Sequence, residues 1–598
     1  MRNLLQSIAA LLFLTVGAAF GQPIPPELAA LQPTNILPAD VSSAAKLQSQ
    51  SAGKAPNLVR VAAPGTAPAF RVETFSKYEQ VYAVEALIRS EQAVKKGDIC
   101  LARFAMRALS AQQESGEAVV NCYFQQTSAP YEKSANLQVS AGPDWVNYDV
   151  PFEVKSDAEP GQTALYFAFG SLQQSVEIKS VQVLNFGNRT TLDKLLATRF
   201  SYAGREANAA WRTKALERIQ QIRTAPLNIV VTDAAGKPVA GARVEARLGQ
   251  PAFIFGSEVD AALIATDTPE MQVYRDKIAE LFDTVTIGND LKWQRWMNPE
   301  RRANTLRAMD WIEAKGLRLR GHNLVWPGWQ FSPKRLQSLA NPGVEIPRQI
   351  ETHIEDEVTA TRGRIWAWDV LNEPIHERDF YQSFPDTKSA DWFKQARKLD
   401  PKALLFVNEY AMLNSRTSPD FIKRYLEFIK MLQANGAPLD GIGVQGHFGG
   451  QVRSPVDVLS DLDLLQTSGL PINITEFDIN TKDEQLQADY TRDFLIAIFS
   501  HPGVTGFIQW GFWQPHHWKP DAAMYRADWS EKPSAKVWRD LVLNQWRTKL
   551  DATTNAQGEI ASRGYLGVYE VTVTSGEKVL KHTMNLTKDR GEVRLTLP

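Results

Sequence analysis

The chain has 598 residues, with 44% apolar, 22% charged and a formal net charge of −1. That length exceeds one ordinary domain and suggests roughly three or four. The charge balance gives no basic excess for a nucleic-acid partner and no acidic run for a disordered tail.

After Met1-Arg2-Asn3 comes an apolar run from Leu4 to Phe20, broken only by Gln6, Ser7, Thr15 and Gly17, with small residues at Ala19 and Gly21. This pattern predicts a signal peptide over 1–21, cleaved after Gly21, and a secreted or periplasmic product. The run is short for a bilayer span, which needs ~20 predominantly apolar residues. No later stretch is apolar enough to span, so no membrane partner is expected after cleavage. Residues 22–63 are rich in Ala, Pro, Gln and Ser with little periodicity and read as a linker without a fold of its own. Cys100 and Cys122 are the only cysteines. Export permits their pairing, but two cysteines make neither a disulfide framework nor a zinc site, so both states stay open.

Residues 64–190 change to short apolar or alternating runs, among them 82–87, 100–106, 118–124, 164–169 and 176–183, punctuated by Gly, Pro, Asn and Asp. An antiparallel β-sandwich of jelly-roll type is predicted. With Gly97-Asp98 before a strand, Trp145-Val146-Asn147-Tyr148 before Pro151-Phe152, and the closing Phe169-Gly170 and Asn185-Phe186-Gly187, the segment resembles carbohydrate-binding modules of polysaccharide hydrolases. The resemblance implies either a glycan-binding face, with Tyr123, Tyr131 and Trp145 as candidates, or a structural sandwich without one. Residues 191–250 read as an adaptor. Leu192, Leu195, Leu196, Phe200, Trp211, Leu216, Ile219 and Ile222 fall mostly at helical spacings over 188–224, and a short β unit follows over 227–248 with a Gly-Lys-Pro turn.

From 251 to 548, strand-like runs at 253–256, 284–287, 317–322, 365–370, 404–407, 442–445, 472–475 and 506–510 alternate with helix-like stretches such as 269–282, 304–315 and 420–435. Eight such units fit a (β/α)₈ TIM barrel. A doubly wound open sheet is the alternative, but no Gly-rich phosphate loop follows the first run. Residues 549–598 read as a small C-terminal β unit around Gly558, Gly564, Gly567 and Gly576.

Polar groups crowd the strand ends: Asn289 and Lys292, His322 and Trp326, Asn372 and Glu373, Gln445 and His447, Glu476 and Asp478, then Trp510 and Trp518. Carboxylates are costly to bury without partners, so Glu373 and Glu476 at the ends of apolar runs point to a site at the barrel mouth. Two carboxyl groups facing each other are what glycosidic cleavage needs, and the retaining version sets them ~5–5.5 Å apart. The chain's sixteen tryptophans include candidates for stacking on sugar rings, although most tryptophans anchor cores.

Five motifs occur in order: Asn289-Asp290-Leu291-Lys292-Trp293, Arg320-Gly321-His322-Asn323-Leu324-Val325-Trp326, Trp368 through Glu373, Gly441 through His447, and Thr475-Glu476-Phe477-Asp478-Ile479. On these residues the barrel resembles family-10 glycoside hydrolases, the retaining endo-β-1,4-xylanases. The resemblance implies Glu373 as acid/base and Glu476 as nucleophile, xylan as the polysaccharide partner, and Asn372 as a ligand of the sugar 2-hydroxyl that also holds the nucleophile. His447 is expected to donate to Glu476, with Asp478 fixing its tautomer. Lys292, Asn289 and Gln445 are expected to grip ring hydroxyls, His322 to belong to the site, and Trp326, Trp510 and Trp518 to supply apolar walls.

The chain departs from the family pattern at Gly288, where a glutamate is usual, and at Pro327 and Trp329, where His and Gln often follow the third-strand Trp. The expected consequence is altered glycone subsites, with weaker grip on plain xylan or room for decoration. Another β-glycan as substrate, or a non-catalytic glycan-binding barrel, are the competing functions. No cofactor or metal is expected, because no His-x-x-x-His or Cys-x-x-Cys pair lies among the strand-end residues. Nothing in the residues sets an oligomeric state.

Overall fold

The computed structural model describes residues 24–50, 54–61, 68–112, 116–198, 200–414 and 418–598. The expected signal segment 1–21 lies outside the described residues. The chain divides into two compact units, Met1–Phe200 and Ser201–Pro598. No helix among the described residues is long and apolar enough to cross a membrane.

The first unit is the expected β-sandwich. One antiparallel sheet runs Asn57–Val61, Ala69–Thr74, Gln174–Asn185, Ile99–Ala111, Val146–Glu153, and the other runs Lys46–Ser49, Val84–Arg89, Thr163–Ala168, Ala118–Gln126, Lys133–Ala141. Alternation along each strand turns one set of side chains inward, and Phe70, Phe104, Phe124, Phe167, Val176 and Ile178 fill the space between the sheets.

Residues 22–63 are not a bare linker. Thr34 pairs with Asn185, Lys46 with Leu87 and Asn57 with Glu73, and Ile36, Leu37 and Val41 enter the core. Such short strands sit at sheet edges, where main-chain bonds to one neighbour suffice and little apolar periodicity is needed. Cys100 and Cys122 are free and buried, one in each sheet. The three aromatics named as glycan-face candidates differ in exposure. Tyr123 is buried and stacked on Tyr166 (centroids 5.2 Å, 14°), Trp145 lies under Lys179 and Arg107, and only Tyr131 is well exposed, at 54%.

The second unit holds a closed parallel barrel: β1 (Ile254–Val259), β2 (Thr284–Ile287), β3 (Arg318–Val325), β4 (Ala367–Asn372), β5 (Leu404–Glu409), β6 (Gly441–Phe448), β7 (Ile472–Ile479) and β8 (Val504–Gln509). Parallel strands are covered on both faces and so read as unbroken apolar runs, and β4, β6 and β7 are buried at every residue. Helices return the chain between strands. Three of them start with a capping side chain followed by proline, Thr268-Pro269, Asn298-Pro299 and Ser454-Pro455, each cap accepting from a first-turn N–H. The cap satisfies an orphan donor, and proline at the first helical position sacrifices none.

Among the described residues, the predicted helical stretch 188–224 contains one α-helix, Ala210–Arg223, preceded by a 3₁₀ turn at Leu192–Lys194. Leu195 and Leu196 pack instead with Leu28, Leu101 and Phe186, so tertiary contact overrides their helical spacing. The adaptor and the C-terminal β unit, expected as separate pieces, form one module. Thr224–Thr232 pairs with Glu559–Tyr565 and Glu592–Thr596, and Arg243–Pro251 with Lys549–Thr553 and Gly567–Ser575. Leu227, Ile229, Val244, Tyr569, Val571 and Leu595 share its core. Two strands alone cannot bury an apolar face, which is why the pieces combine.

Candidate active site

The strand C-termini meet at one mouth, and the expected residues collect there. Immediately after β4, Glu373 adopts a left-handed backbone (φ +56), which costs a non-glycine residue roughly 1–2 kcal/mol. The end of β5 holds that turn. Asn408 accepts from the Glu373 N–H (2.8 Å), and buried Glu409 accepts from the Ile375 N–H (2.8 Å) and from His376 Nδ1 (2.8 Å). The Glu373 carboxyl is gripped from both sides: Gln445 Nε2 donates to Oε1 (2.7 Å) and Trp326 Nε1 to Oε2 (3.1 Å).

On β7 a bulge sets Thr475 and Glu476 together opposite Gln445, the register jumping from Val444–Ile474 to Gly446–Phe477. A bulge breaks strict alternation and re-aims side chains. Both residues therefore reach Asn408, which accepts from Thr475 Oγ1 (2.7 Å) and donates to Glu476 Oε1 (2.7 Å) and to Asn372 Oδ1 (2.9 Å). A Cβ at Gly443 would stand 2.4 Å from Asn408 Oδ1, so glycine there gives this amide its place. His447 Nε2 lies 3.3 Å from Glu476 Oε2.

His447 stands between two carboxylates. Its Nδ1 is 3.1 Å from Asp478 Oδ2, an ion-pair contact off the line of a good hydrogen bond. Burial disfavours its charge, but Asp478 and Glu476 outweigh burial and push it up to about 10. At neutral pH it is an imidazolium with both nitrogens protonated, so Asp478 stabilises a charge and does not select a tautomer. Trp518 Nε1 donates to Asp478 Oδ2 (2.6 Å), and its ring meets His447 edge-on at 4.8 Å. Trp518 remains 42% exposed, a partial wall with its N–H already committed.

His322 sits beneath the mouth. Its Nδ1 is 3.0 Å from Asp369 Oδ2, and Arg320 donates to the same carboxylate through Nε (3.2 Å) and Nη2. Burial alone would raise the Asp369 carboxyl, yet Arg320 and His322 hold it below the ordinary carboxylate range. Trp510 packs edge-on against His322 (5.2 Å) and His447 (6.3 Å). Lys292 Nζ donates to Asn289 Oδ1 (3.2 Å) and lies 5.1 Å from the Trp326 ring. Burial lowers its ammonium pKa against the pull of Glu476, Glu258 and Glu373.

Two expected contacts differ. Asn372 does not touch Glu476 but reaches it through Asn408, leaving its own buried Nδ2 without a partner. Gln445 spends its amide nitrogen on Glu373, and its buried Oε1 is unpaired. Open donors and acceptors of this kind cost roughly 1–3 kcal/mol each until a ligand meets them. Pro327 and Trp329 tie the loop after β3 to the loop after β4: Pro327 accepts from the Phe380 N–H, Asp379 accepts from the Trp329 N–H, and the Trp329 ring meets Phe380 at 5.1 Å.

Sequence reasoning missed Asn408, Glu409, Asp369 and Glu258. The first two follow the apolar run 404–407 directly, so a polar pair closing a buried strand was the signal available. Asp369 was visible only as one more polar residue inside a strand. Glu258, at the end of β1, fills the space beside Gly288.

The family model for glycosyl hydrolase family 10 matches residues 248–540. Anti-sigma-I factor RsgI6 of Acetivibrio thermocellus is 31% identical over 392 residues, 64% of this chain and 50% of that protein. Endo-1,4-beta-xylanase 2 of Arabidopsis thaliana is 31% identical over 364 residues, 59% and 32% of the respective chains. Endo-1,4-beta-xylanase A of Phanerodontia chrysosporium is 30% identical over 292 residues, 45% of this chain and 67% of that protein. The chain thus spans half or less of the length of the first two relatives.

Proposed function

The chain belongs to glycosyl hydrolase family 10, and we propose that it is a secreted, retaining endo-β-1,4-xylanase with Glu373 as acid/base and Glu476 as nucleophile. The observation that carries the reading is the different setting of the two glutamates. Glu476 accepts from Asn408 and faces the His447 imidazolium, which suits a carboxylate that must stay charged to attack. Glu373 is held by the neutral donors Gln445 and Trp326, which fix its position while leaving it able to give and take a proton.

In the first step a Glu476 oxygen bonds to the anomeric carbon as the glycosidic C–O bond breaks, and the Glu373 proton passes to the departing oxygen. In the second, Glu373 takes a proton from water, whose oxygen bonds to the anomeric carbon and releases Glu476. The unpaired Asn372 Nδ2 is suited to the sugar 2-hydroxyl, whose hydrogen bonds strengthen in the transition state. Trp326, Trp510 and Trp518 would flank the sugar rings, with Asn289 and Lys292 on their hydroxyls. Xylan as substrate rests on the two relatives named as xylanases, and export on the signal-like residues 1–21. The N-terminal sandwich would be a carbohydrate-binding-module-like appendage.

Incubation with a panel of soluble xylans and β-glucans, followed by product sizing and NMR of the first-formed anomer, tests this reading. Xylo-oligosaccharides of mixed length, released first as β-anomers, are expected. Preferential attack on β-glucan would reassign the substrate, and first release of α-anomers would overturn retention.

A further inference from the structure

Glu258 reaches from the end of β1 across two neighbouring strand ends. A Cβ at Gly288, just after β2, would stand 2.3 Å from its Oε1 and 2.5 Å from its Cγ. A Cβ at Gly511, after β8, would stand 3.3 Å from Oε2 and 2.9 Å from His517 Cδ2. Gly511 also has φ +89, which favours glycine on its own account. Gly288 therefore opens no extra room in the cleft, because the Glu258 carboxyl occupies the space that a side chain there would take.

That carboxyl is partly buried and makes no hydrogen bond or ion pair with any described residue. Ser257 Oγ donates to the Glu258 main-chain oxygen (2.9 Å), not to its side chain. An unpartnered polar group largely shielded from water is costly in a resting protein and useful in a binding one. Burial and then Asp260 push it up to about 8, with Glu476 and Asp290 adding and Lys292 opposing. His517, beside it, is neutral, burial holding it down to about 4. At pH 7 Glu258 thus carries a proton and offers a donor as well as acceptors, the pair of functions that a vicinal diol engages.

Its location selects the sugar. Its carboxyl fills the space at Gly288, just ahead of Asn289 and Lys292, and Lys292 and Glu476 are among the charges acting on it, so it lies at the β1–β2 edge of the mouth within electrostatic reach of Glu476. Resting on the retaining-hydrolase reading above, the sugar that bonds to Glu476 occupies the place between the two glutamates. A group reaching in from the β1–β2 edge then meets the next sugar outward.

We infer that Glu258 is a specificity-determining residue that binds hydroxyls of the second sugar on the non-reducing side, and that Gly288 and Gly511 supply the space it needs. The test compares 4-nitrophenyl β-xylobioside with 4-nitrophenyl β-xyloside on the full chain. In Glu258→Ala the ratio of kcat/KM for xylobioside to that for xyloside should fall roughly 10- to 100-fold, the worth of one or two hydrogen bonds to a partly buried group. Glu258→Gln, which keeps a donor and an acceptor, should hold the ratio within about threefold. Gly288→Ala, whose Cβ would displace the carboxyl, should reproduce the Glu258→Ala loss. Equal losses on both substrates, or an unchanged ratio in Glu258→Ala, would overturn the assignment. Wild-type enzyme that cleaves neither substrate would overturn the hydrolase reading itself, and this assignment with it.

Discussion

Asn408, at the end of β5, donates to Glu476, on β7, at 2.7 Å across the intervening strand β6. The same amide nitrogen serves Asn372, its oxygen accepts from Thr475, and its main-chain oxygen holds the turn that carries Glu373. One fully buried residue thus ties together both glutamates and Asn372.

Replacing Asn408 should therefore damage turnover more than its absence from direct chemistry suggests. Asn408→Ala leaves buried oxygens of Glu476 and Asn372 without their donor, at roughly 1–3 kcal/mol for each unsatisfied group. A drop in kcat of about 100-fold on xylo-oligosaccharides, with a lowered Tm, is expected. Asn408→Asp should be worse, since it sets a second carboxyl beside Glu476. A kcat within about twofold of wild type in Asn408→Ala would show that the nucleophile does not depend on this bridge.

The His447 pair gives a signed pH dependence. Its folded pKa is raised to about 10 from an ordinary 6.5, so the charge contributes stability that is fully present below about pH 6.5 and is lost as pH rises through about 10. Asp478→Asn removes the larger of the two charges holding it up. In that variant the loss of stability should begin at lower pH, measured by denaturant unfolding between pH 6 and 10. Identical pH profiles for wild type and variant would contradict the charged-imidazole account.

The small β module yields a prediction about folding. A chain ending at residue 548 leaves Thr224–Thr232 and Arg243–Pro251 without all of their partner strands and exposes Leu227, Ile229 and Val244. Unpaired edges above an apolar face promote aggregation, so this truncation should be insoluble or lose several degrees of Tm. A soluble truncated chain with the full-length Tm would show that the barrel unit does not need the module.

How much of this was legible in the sequence follows from burial and from distance along the chain. The eight barrel strands announce themselves because parallel strands are apolar on both faces, and Glu373 and Glu476 stand out as charges closing such runs. Asn408 is quieter. It is uncharged, and its importance lies in three bonds that converge only when β4, β5 and β7 are side by side. Glu258 was hidden by its neighbour, since a glycine at 288 suggests an emptier cleft until the carboxyl from β1 is seen to fill it. The union of 224–251 with 549–596 joins segments from opposite ends of the barrel, a pairing no local pattern encodes. The edge strands of 22–63 were masked by a linker-like composition, because their stability comes from main-chain bonds to strands that do carry a pattern.

In the proposed mechanism Glu476 attacks the sugar while Glu373 moves the proton. The most direct measurement is to incubate the full chain with a 2-fluoro-xylobioside bearing a good leaving group, digest it and locate the label by mass spectrometry. One fluoroxylobiosyl group esterified to Glu476 is expected, and no label in Glu476→Gln. A label on Glu373 or on any other residue, or inactivation without a covalent adduct, would contradict that mechanism.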